Sequence, residues 1–415
     1  MTKCRLLPTI YCMDFTKILE LDRLARQDIG RFPKKRFLFS GLISEQGRHF
    51  TGIVGPRGVG KTILLKQLAL ENANSLYLSL DTWEDGDLFE TARILIERQH
   101  LKILLLDEVH FLPNFQQILK KIFDFLPIKI IFSSSVALAL TDSAYDLSRR
   151  VKLLPLMPFT LGEYISFIAG TNLAPLTLDM IVNQAYSSDY LKYGFRFDEF
   201  LRGSLYPFAL EEPDALPFLR NVLDKIIQRD IPAVAHLAVE DLGNIRKMIA
   251  FIGKSSVEGI NYSSISKNIG ITKYKAELYI QLLEKAFVLN PVFPAGTNVL
   301  REPKVLMHLP FRLLYLPYDQ ALGALREDFF GEMMKIAGIQ FHYLKSTRGA
   351  KTPDYIVMRE GMRDCVIEIG GVGKGHEQFK GISSAAQKII LAHSSAPTHK
   401  DAHPLALIGF LPPQK

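Results

Sequence analysis

The 415-residue sequence contains only three cysteines, an odd number that argues against a disulfide framework. Cys4, Cys12 and Cys365 form no C-x-x-C pair, so a cysteine zinc site is also unexpected, and a reducing compartment fits. The apolar stretches at 103–106 and 128–140 are shorter than the roughly 18–20 residues that cross a bilayer. Because the first residues lack the apolar core of a signal peptide, we expect a cytoplasmic protein without a membrane segment.

The sequence also has little excess charge of either sign. Fifty Lys and Arg against 43 Asp and Glu leave a net charge of +7, which is compatible with nucleic-acid binding but not diagnostic of it. Residues 1–48 form the most basic part, and a solvated face explains their charge as well as phosphate contacts do. With 48% hydrophobic and 22% charged residues, the chain can bury several cores, and its length suggests about two to four domains.

The most specific motif is the glycine-rich segment GPRGVGKT at 55–62, which follows an apolar run and precedes a helical pattern. This is the strand, loop and helix setting of a phosphate-binding P-loop. Glycines let main-chain amides point at the α and β phosphates of ATP, Lys61 would reach the β and γ phosphates, and the Thr62 hydroxyl would bind Mg²⁺. The predicted nucleotide-binding residues are Gly55, Pro56, Arg57, Gly58, Val59, Gly60, Lys61, Thr62 and Ile63.

An acidic pair follows the apolar run at 103–106, which has the pattern of a parallel strand buried on both faces. Asp107 would complete the Mg²⁺ shell, and Glu108 would orient and deprotonate the attacking water. Solvated acids at a strand end are common, but the preceding P-loop favours a catalytic pair.

Further apolar runs at 76–80 and 128–132 alternate with helical segments. This repetition predicts the α/β fold of a P-loop NTPase, a doubly wound parallel sheet that binds ligands at the carboxyl ends of its strands.

Three other positions are candidates near the nucleotide. Ser134, within the serine cluster 133–135, could act as a polar sensor of the γ phosphate, although a polar turn explains any single serine equally well. Arg150 could bind the γ phosphate with its planar guanidinium, from its own or a neighbouring subunit, or it could cap a helix. His110 could hold Glu108, or it could be a structural histidine.

These motifs resemble the AAA-type ATPases of archaea and bacteria, in which the ATPase module is fused to a winged helix and a restriction-endonuclease-like domain of unknown function. The resemblance implies that a helical and winged-helix region and a restriction-endonuclease-like α/β domain follow the ATPase core. The resemblance implies an additional strand between the P-loop strand and the acid-bearing strand, a catalytic Glu108 and a sensor within 133–135. Arg150 matches the family's Gly-Arg position, with Arg149 in place of the glycine. The segments that carry the resemblance are Val54–Thr62, Leu105–Phe115, Phe132–Ser135, Arg150 and Leu156–Tyr164.

We predict five segments on this basis. They are a basic helical flank at 1–48, an ATPase core at 49–165, a helical linker at 166–240, a winged helix at 241–300 and a nuclease-like domain at 301–415.

The winged-helix prediction rests on the segment 265–284, which reads as a helix, a glycine turn, a threonine N-cap and a second helix. The runs 287–289 and 291–293 would form the wing. Lys267, Lys273 and Lys275 would contact DNA phosphates. A module that serves only packing or protein binding is the alternative.

In the C-terminal segment, the spacing of two strand-like runs about a turn near Gly361 places Asp354 opposite Glu368. With Glu327 on a preceding helix, these carboxylates could form a second metal site, and the arrangement resembles the PD-(D/E)XK nuclease core. Gly370 stands where that motif has a lysine.

Lys374, in the glycine-rich loop that follows, could swing into the position of the missing lysine, and Gln378 resembles the helical residue that often follows the motif. We favour a nuclease-like fold with lost or altered activity over an active nuclease.

The sequence therefore predicts an ATPase that uses ATP and Mg²⁺, whose nucleotide state gates DNA contact, and which forms a homo-oligomer. Two alternatives stay open. One is an ATP-regulated, metal-dependent DNA endonuclease, and the other is a nucleotide-switched scaffold that binds a protein partner.

Overall fold

The chain groups into two compact units in the computed structural model. One comprises residues 1–55 and 60–156, and the other comprises residues 56–59 and 157–415. The predicted boundaries at 240 and 300 fall inside the second unit and stay predictions. The structure describes residues 15–45, 47–83, 86–135, 147–212, 214–235, 237–296, 302–345, 352–359, 361, 363–371, 376–379, 382, 386–396 and 402–414.

The first unit is built on a five-stranded parallel sheet with the order β2-β3-β4-β1-β5. β1 is buried along its whole length, as its apolar sequence predicts for a strand that is covered on both faces. β4 lies between β1 and β3, which confirms the additional strand that the family resemblance implies. The strands are β1 Phe50–Val54, β2 Ser75–Ser79, β3 Ile103–Asp107, β4 Lys129–Ser134 and β5 Val151–Pro155.

Helices flank this sheet, and local sequence signals explain where several of them begin. The Asp87 carboxylate accepts hydrogen bonds from the Phe89 and Glu90 amides and caps one helix, whereas another follows Gly60 directly. The described part of the predicted N-terminal flank contains the first two helices and the non-helical segment 32–37 between them. The helices are α1 Phe15–Asp28, α2 Leu38–Ser44, α3 Lys61–Glu71, α4 Leu88–Gln99 and α5 Phe115–Phe125, with short 3₁₀ turns at Ile29–Arg31 and Val109–Phe111.

The second unit begins with short helices, the first of which is capped by Thr160. Two π-helical turns, Phe200–Ser204 and Ile226–Asp230, interrupt them. The helices are α6 Leu161–Ala169, α7 Leu178–Val182, α8 Phe197–Glu199, α9 Leu216–Lys225, α10 Ile231–Val234 and α11 Val239–Lys254, with 3₁₀ segments at Ser188–Arg196 and Pro207–Leu210.

A helix-turn-helix follows, formed by α12 (Tyr262–Ile269) and α13 (Lys273–Lys285). Gly270 makes the turn at a φ of 77°, and the Thr272 hydroxyl accepts a hydrogen bond from the Lys275 amide at 3.2 Å. This much agrees with the sequence pattern.

The predicted wing strands at 287–289 and 291–293 are wrong. The structure has a single strand there, β6 (Leu289–Val292), which pairs antiparallel with β7 (Lys304–Met307). Phe287 instead takes a left-handed φ of 58° at the end of the second helix. The partner strand lies beyond the predicted boundary at 300, and the sequence analysis did not identify it as a strand.

The C-terminal part of the second unit contains a mixed sheet with the order β12-β11-β10-β9-β8. Its antiparallel register pairs Tyr355 with Ile367, so the next position along places Asp354 opposite Glu368, as the spacing predicts. The elements are α14 Tyr318–Ile336, β8 His342–Tyr343, β9 Tyr355–Val357, β10 Cys365–Gly370, β11 Gln387–Ala392 and β12 Ala402–Pro404, with 3₁₀ segments at Phe311–Leu314, His376–Phe379 and Leu405–Phe410.

Within the residues that the structure describes, no helix is both long and apolar enough to cross a membrane. Cys365 is buried on β10, whereas Cys4 and Cys12 lie outside those residues.

Candidate nucleotide-binding site

The loop at 55–62 requires glycine at three of its positions. A Cβ at Gly55 would lie 1.9 Å from the Leu156 carbonyl oxygen, so no other residue fits there. Gly58 and Gly60 have φ values of 85° and 91°, in the left-handed region that side chains disfavour. The last two residues of the motif, Lys61 and Thr62, are the first two residues of α3. The loop therefore leads directly into a helix N-terminus, which favours anions.

Lys61 curls back over this loop. Lys61 is only 5% exposed, and its ammonium group donates a hydrogen bond to the Gly55 carbonyl oxygen at 2.8 Å. A buried cation beside a helix N-terminus is suited to an anionic ligand such as a phosphate group.

Asp107, at the end of β3, is the centre of a hydrogen-bond network. One carboxylate oxygen accepts from the Thr62 hydroxyl at 2.7 Å and from the Tyr77 hydroxyl at 2.9 Å. The other accepts from the Ser133 hydroxyl. Burial and the neighbouring charge of Glu108 raise the pKa of Asp107, while these three hydroxyl groups oppose that shift. The carboxylate is therefore held in one orientation by side chains from three elements.

Thr62 and Asp107 together fit a magnesium site. A hydroxyl and a carboxylate in direct contact are hard oxygen ligands of the kind that Mg²⁺ takes alongside nucleotide phosphates. Among the described residues, no three or more His, Cys, Asp or Glu side chains are arranged to hold a metal ion. A metal at this position would therefore also need ligands from the nucleotide or from water.

Glu108 has a strained backbone, with a left-handed φ of 53°. Its amide donates to the Ser133 hydroxyl at 2.9 Å, and its carboxylate accepts from the Ser135 amide at 3.2 Å. The His110 ring nitrogen lies 3.4 Å from the same carboxylate. The main chain and side chain of Glu108 are thus both anchored to the end of β4.

The Ser133 hydroxyl contacts both acids, whereas the sequence analysis chose Ser134 as the sensor of the γ phosphate, a role that stays a prediction. The Ser134 hydroxyl lies 3.3 Å from a ring nitrogen of His110. The Ser135 hydroxyl lies 3.4 Å from the other ring nitrogen of His110. The serine cluster 133–135 predicted a polar group at the carboxyl end of β4, but it did not predict which serine faces the acids.

Tyr77 is a site residue that sequence reasoning missed. It reaches Asp107 because β2 pairs with β3 in parallel register. No local pattern marks this contact, because it depends on which strands become neighbours in the sheet.

Arg150 does not join the site of its own chain. Its carbonyl oxygen accepts from the Phe50 amide, at the end of β1 opposite to the loop at 55–62. Its guanidinium donates to Asp124 at 3.0 and 3.3 Å. Because β1 separates the two positions by roughly 15 Å, a γ-phosphate contact within one chain is excluded.

Two of the three predicted DNA-contacting lysines are held by acids within the second unit. Lys273 forms an ion pair with Glu302, and Lys275 forms one with Asp241 at 2.9 Å. Lys267 lies exposed in the last turn of α12. DNA phosphates would have to compete with carboxylates for two of these ammonium groups.

The three carboxylates predicted to form a second metal site, Glu327, Asp354 and Glu368, lie in the second unit, but as described they are not arranged to hold a metal ion by themselves. The Asp354 carboxylate accepts from the Ile369 amide at 2.8 Å, beside buried Glu368. Burial, followed by the charges of Glu327 and Glu368, raises the pKa of Asp354 to about 7, while Lys304 opposes this shift. A cavity of about 460 Å³ is lined by Glu327 and Asp354, among others.

Lys304 is the residue of this cluster that sequence reasoning missed. It forms an ion pair with Glu327, which also accepts a hydrogen bond from the Tyr355 hydroxyl at 2.7 Å. Gly370 lines the cavity, as expected from its place in β10. Lys374 lies outside the described residues, so its predicted role stays a prediction.

Comparisons with known proteins identify a domain that contains the loop at 55–62 and both acids. A family model described as an AAA domain matches residues 47–165. Those residues form an AAA-type P-loop ATPase domain. A second model, for a domain of unknown function, matches residues 200–308.

An uncharacterized protein of Methanocaldococcus jannaschii is 27% identical over 394 residues, covering 83% of this chain and 82% of its own. Solved structures also match, among them two with low TM-scores. The Aeropyrum pernix ORC1 protein in complex with DNA has a TM-score of 0.29 at 13% identity, covering 74% of this chain and 92% of its own. The Thermotoga maritima RuvB Holliday junction branch migration motor has a TM-score of 0.28 at 17% identity, and the match covers 66% of this chain and 88% of the RuvB chain.

Proposed function

We propose that this protein is a Mg²⁺-dependent ATPase whose nucleotide state controls its contact with DNA. The observation that carries the ATPase part is the direct contact between Thr62, beside the phosphate-binding loop, and Asp107, at the end of β3. This contact joins the predicted ligands of the metal in one place, with Glu108 next in sequence.

Each group has a distinct task in this proposal. The loop amides and Lys61 bind the triphosphate, and Thr62 and Asp107 hold Mg²⁺, which when bound supplies positive charge to the phosphates. Glu108 accepts a proton from the attacking water. Ser133 fixes both acids, because its hydroxyl donates to Asp107 and accepts from the Glu108 amide.

The proposal includes a homo-oligomer. Arg150 lies too far from the loop of its own chain, so a role at the γ phosphate requires that it reach a neighbouring subunit. Such a role would make catalysis depend on assembly. An ATPase rate per chain that does not change across the concentration range of assembly would contradict this part.

The proposed coupling between nucleotide state and DNA contact is tested by measuring ATP hydrolysis with and without single-stranded, duplex and branched DNA. We expect at least one DNA form to change the rate and to bind with an affinity that falls steeply with salt. Lys267→Ala should lower the log–log salt slope by about one, because one phosphate contact is lost. Lys335→Ala, which removes a surface lysine paired with Glu284, is the matched control.

No DNA binding at low salt, or a flat salt dependence, would remove DNA from the proposal. Nucleotide-dependent binding of a protein partner in that case would favour the scaffold alternative.

An ATP-regulated, metal-dependent DNA endonuclease is the second candidate function. The observation that favours it is the cluster in which Lys304 binds Glu327 beside Asp354. An ammonium group close to acids is suited to phosphodiester chemistry because it can orient water or stabilise charge on a leaving oxygen. Lys304 thus offers the charge that Gly370 cannot.

The endonuclease candidate predicts that Asp354→Asn abolishes Mg²⁺-dependent cleavage of plasmid or branched DNA while ATP hydrolysis continues. Asp364→Asn, on the same hairpin but outside the cluster, should cleave like the parent protein. Gel electrophoresis of the DNA checks both variants. Equal cleavage by the parent protein and Asp354→Asn would assign the cutting to a contaminant or another site.

A further inference from the structure

Arg57, the third residue of the phosphate-binding loop, forms a two-point ion pair with Asp230. Its Nε and Nη2 atoms donate to the two carboxylate oxygens of Asp230 at 2.6 and 2.7 Å. Asp230 is fully buried, and the Arg57 side chain is 18% exposed. The planar fork of the guanidinium matches the carboxylate, which makes this a strong, charge-assisted contact.

Asp230 is the last residue of the π-helical turn Ile226–Asp230, between α9 and α10. Pro232 follows in the first turn of α10, where its missing N–H interrupts the regular helical hydrogen bonds. Turns of this kind are rare and often occur at functional sites. The helical segment is therefore irregular at the residue that binds Arg57.

The neighbouring part of the loop is covered by aromatic side chains of the same unit. A Cβ at Gly58 would lie 2.9 Å from a ring carbon of Phe208 and 3.4 Å from one of Tyr206. Val59 is fully buried. Through these contacts, residues 56–59 of the phosphate-binding loop belong to the second unit.

We propose that Asp230 is a positioning residue for ATP binding, which acts through Arg57 to hold residues 56–59 of the phosphate-binding loop in the shape that the phosphates require. The inference rests on the proposed ATPase function. If either partner of a buried ion pair is removed, the other charge is left uncompensated, so the loop would lose its support. The pair also directs the Arg57 charge onto a carboxylate, which leaves phosphate binding to Lys61 and the loop amides.

The test is steady-state ATP hydrolysis by Asp230→Asn, which keeps the size of the side chain but removes its charge. We expect the KM for ATP to rise about tenfold while kcat stays within about twofold, because the chemical groups Asp107 and Glu108 are untouched. Arg57→Ala should give the same change, and the double variant should be no worse than either single variant, because both remove one interaction.

A matched control comes from a second buried ion pair in the same unit. Arg312 donates to the two carboxylate oxygens of Asp328 at 2.6 and 3.1 Å, and both residues are fully buried. Asp328→Asn should lower the melting temperature without changing the KM for ATP. This comparison separates positioning of the loop from a general loss of stability.

The inference is overturned if folded Asp230→Asn has the KM of the parent protein, if Asp328→Asn raises the KM equally, or if the effects at Arg57 and Asp230 add. If Asp230→Asn does not fold, Arg57→Lys serves instead, since it keeps the charge but loses the two-point contact. An unchanged KM in Arg57→Lys would then overturn the inference. Absence of ATP hydrolysis in the parent protein would instead refute the proposed function.

Discussion

Replacing Glu108 by glutamine is expected to slow ATP hydrolysis by about 100-fold or more while ATP binding is retained. Glutamine preserves the shape of the side chain and can still accept the hydrogen bond from the Ser135 amide, but it cannot take a proton from water. The loop, Lys61 and Thr62 are unaltered, so the affinity for ATP should stay close to that of the parent protein. Single-turnover phosphate release and binding of a non-hydrolysable ATP analogue check the two halves of this expectation.

Glu97→Gln is the matched control for this variant. Glu97 lies on α4 in the same unit, where its exposed side chain forms an ion pair with Arg93 at 2.8 Å. It should hydrolyse ATP like the parent protein. Normal turnover by Glu108→Gln would mean that another group accepts the proton, and the role assigned to Glu108 would have to be abandoned.

Replacing Lys61 by alanine is expected to lower ATP affinity by about 100-fold, which amounts to loss of binding at ordinary concentrations. The Lys61 ammonium is buried against the loop, where it donates to the Gly55 carbonyl oxygen at 2.8 Å. Alanine removes both this contact and the positive charge offered to the phosphates. Equilibrium titration with a fluorescent ATP analogue measures the change.

Lys66→Ala provides the control, because Lys66 lies on the same helix but pairs with Asp28 at 3.4 Å. We expect Lys66→Ala to bind ATP like the parent protein. Unchanged affinity in Lys61→Ala would show that the loop is not the phosphate site. Loss of affinity in both variants would point to damage of the helix.

The sequence predicts the shape of the loop at 55–62 and the acid at the end of β3 because both depend on local features. The glycines of the loop need left-handed backbone or close approach, and Asp107 needs a buried strand before it, so both leave a pattern in adjacent residues. The family resemblance adds the position of β4 between β1 and β3, which a local pattern does not contain.

Contacts between distant segments could not be predicted in the same way. Ser133 and Tyr77 reach Asp107 only because β4 and β2 both pair with β3, and the phase of each strand decides which side chain faces the acid. Arg57 and Asp230 are 173 positions apart, and no periodicity relates them. Such pairings are set by packing of the whole unit.

The C-terminal part contains one pairing that the sequence predicted and one residue that it missed. The hairpin spacing correctly predicts the register that places Asp354 opposite Glu368, because an antiparallel turn fixes its own pairing. Lys304 was missed, because it comes from a strand that the sequence pattern did not identify as the partner of β6. The wing was misread for the same reason.

The central claim is that the loop at 55–62 binds the phosphates of ATP, with Mg²⁺ held beside Thr62 and Asp107. A crystal structure of the protein with a non-hydrolysable ATP analogue and Mg²⁺ tests it most directly. The account predicts phosphates within hydrogen-bonding distance of the loop amides and of the Lys61 ammonium, and a metal ion next to the Thr62 hydroxyl. A nucleotide bound at another surface, with this loop unoccupied, would contradict it.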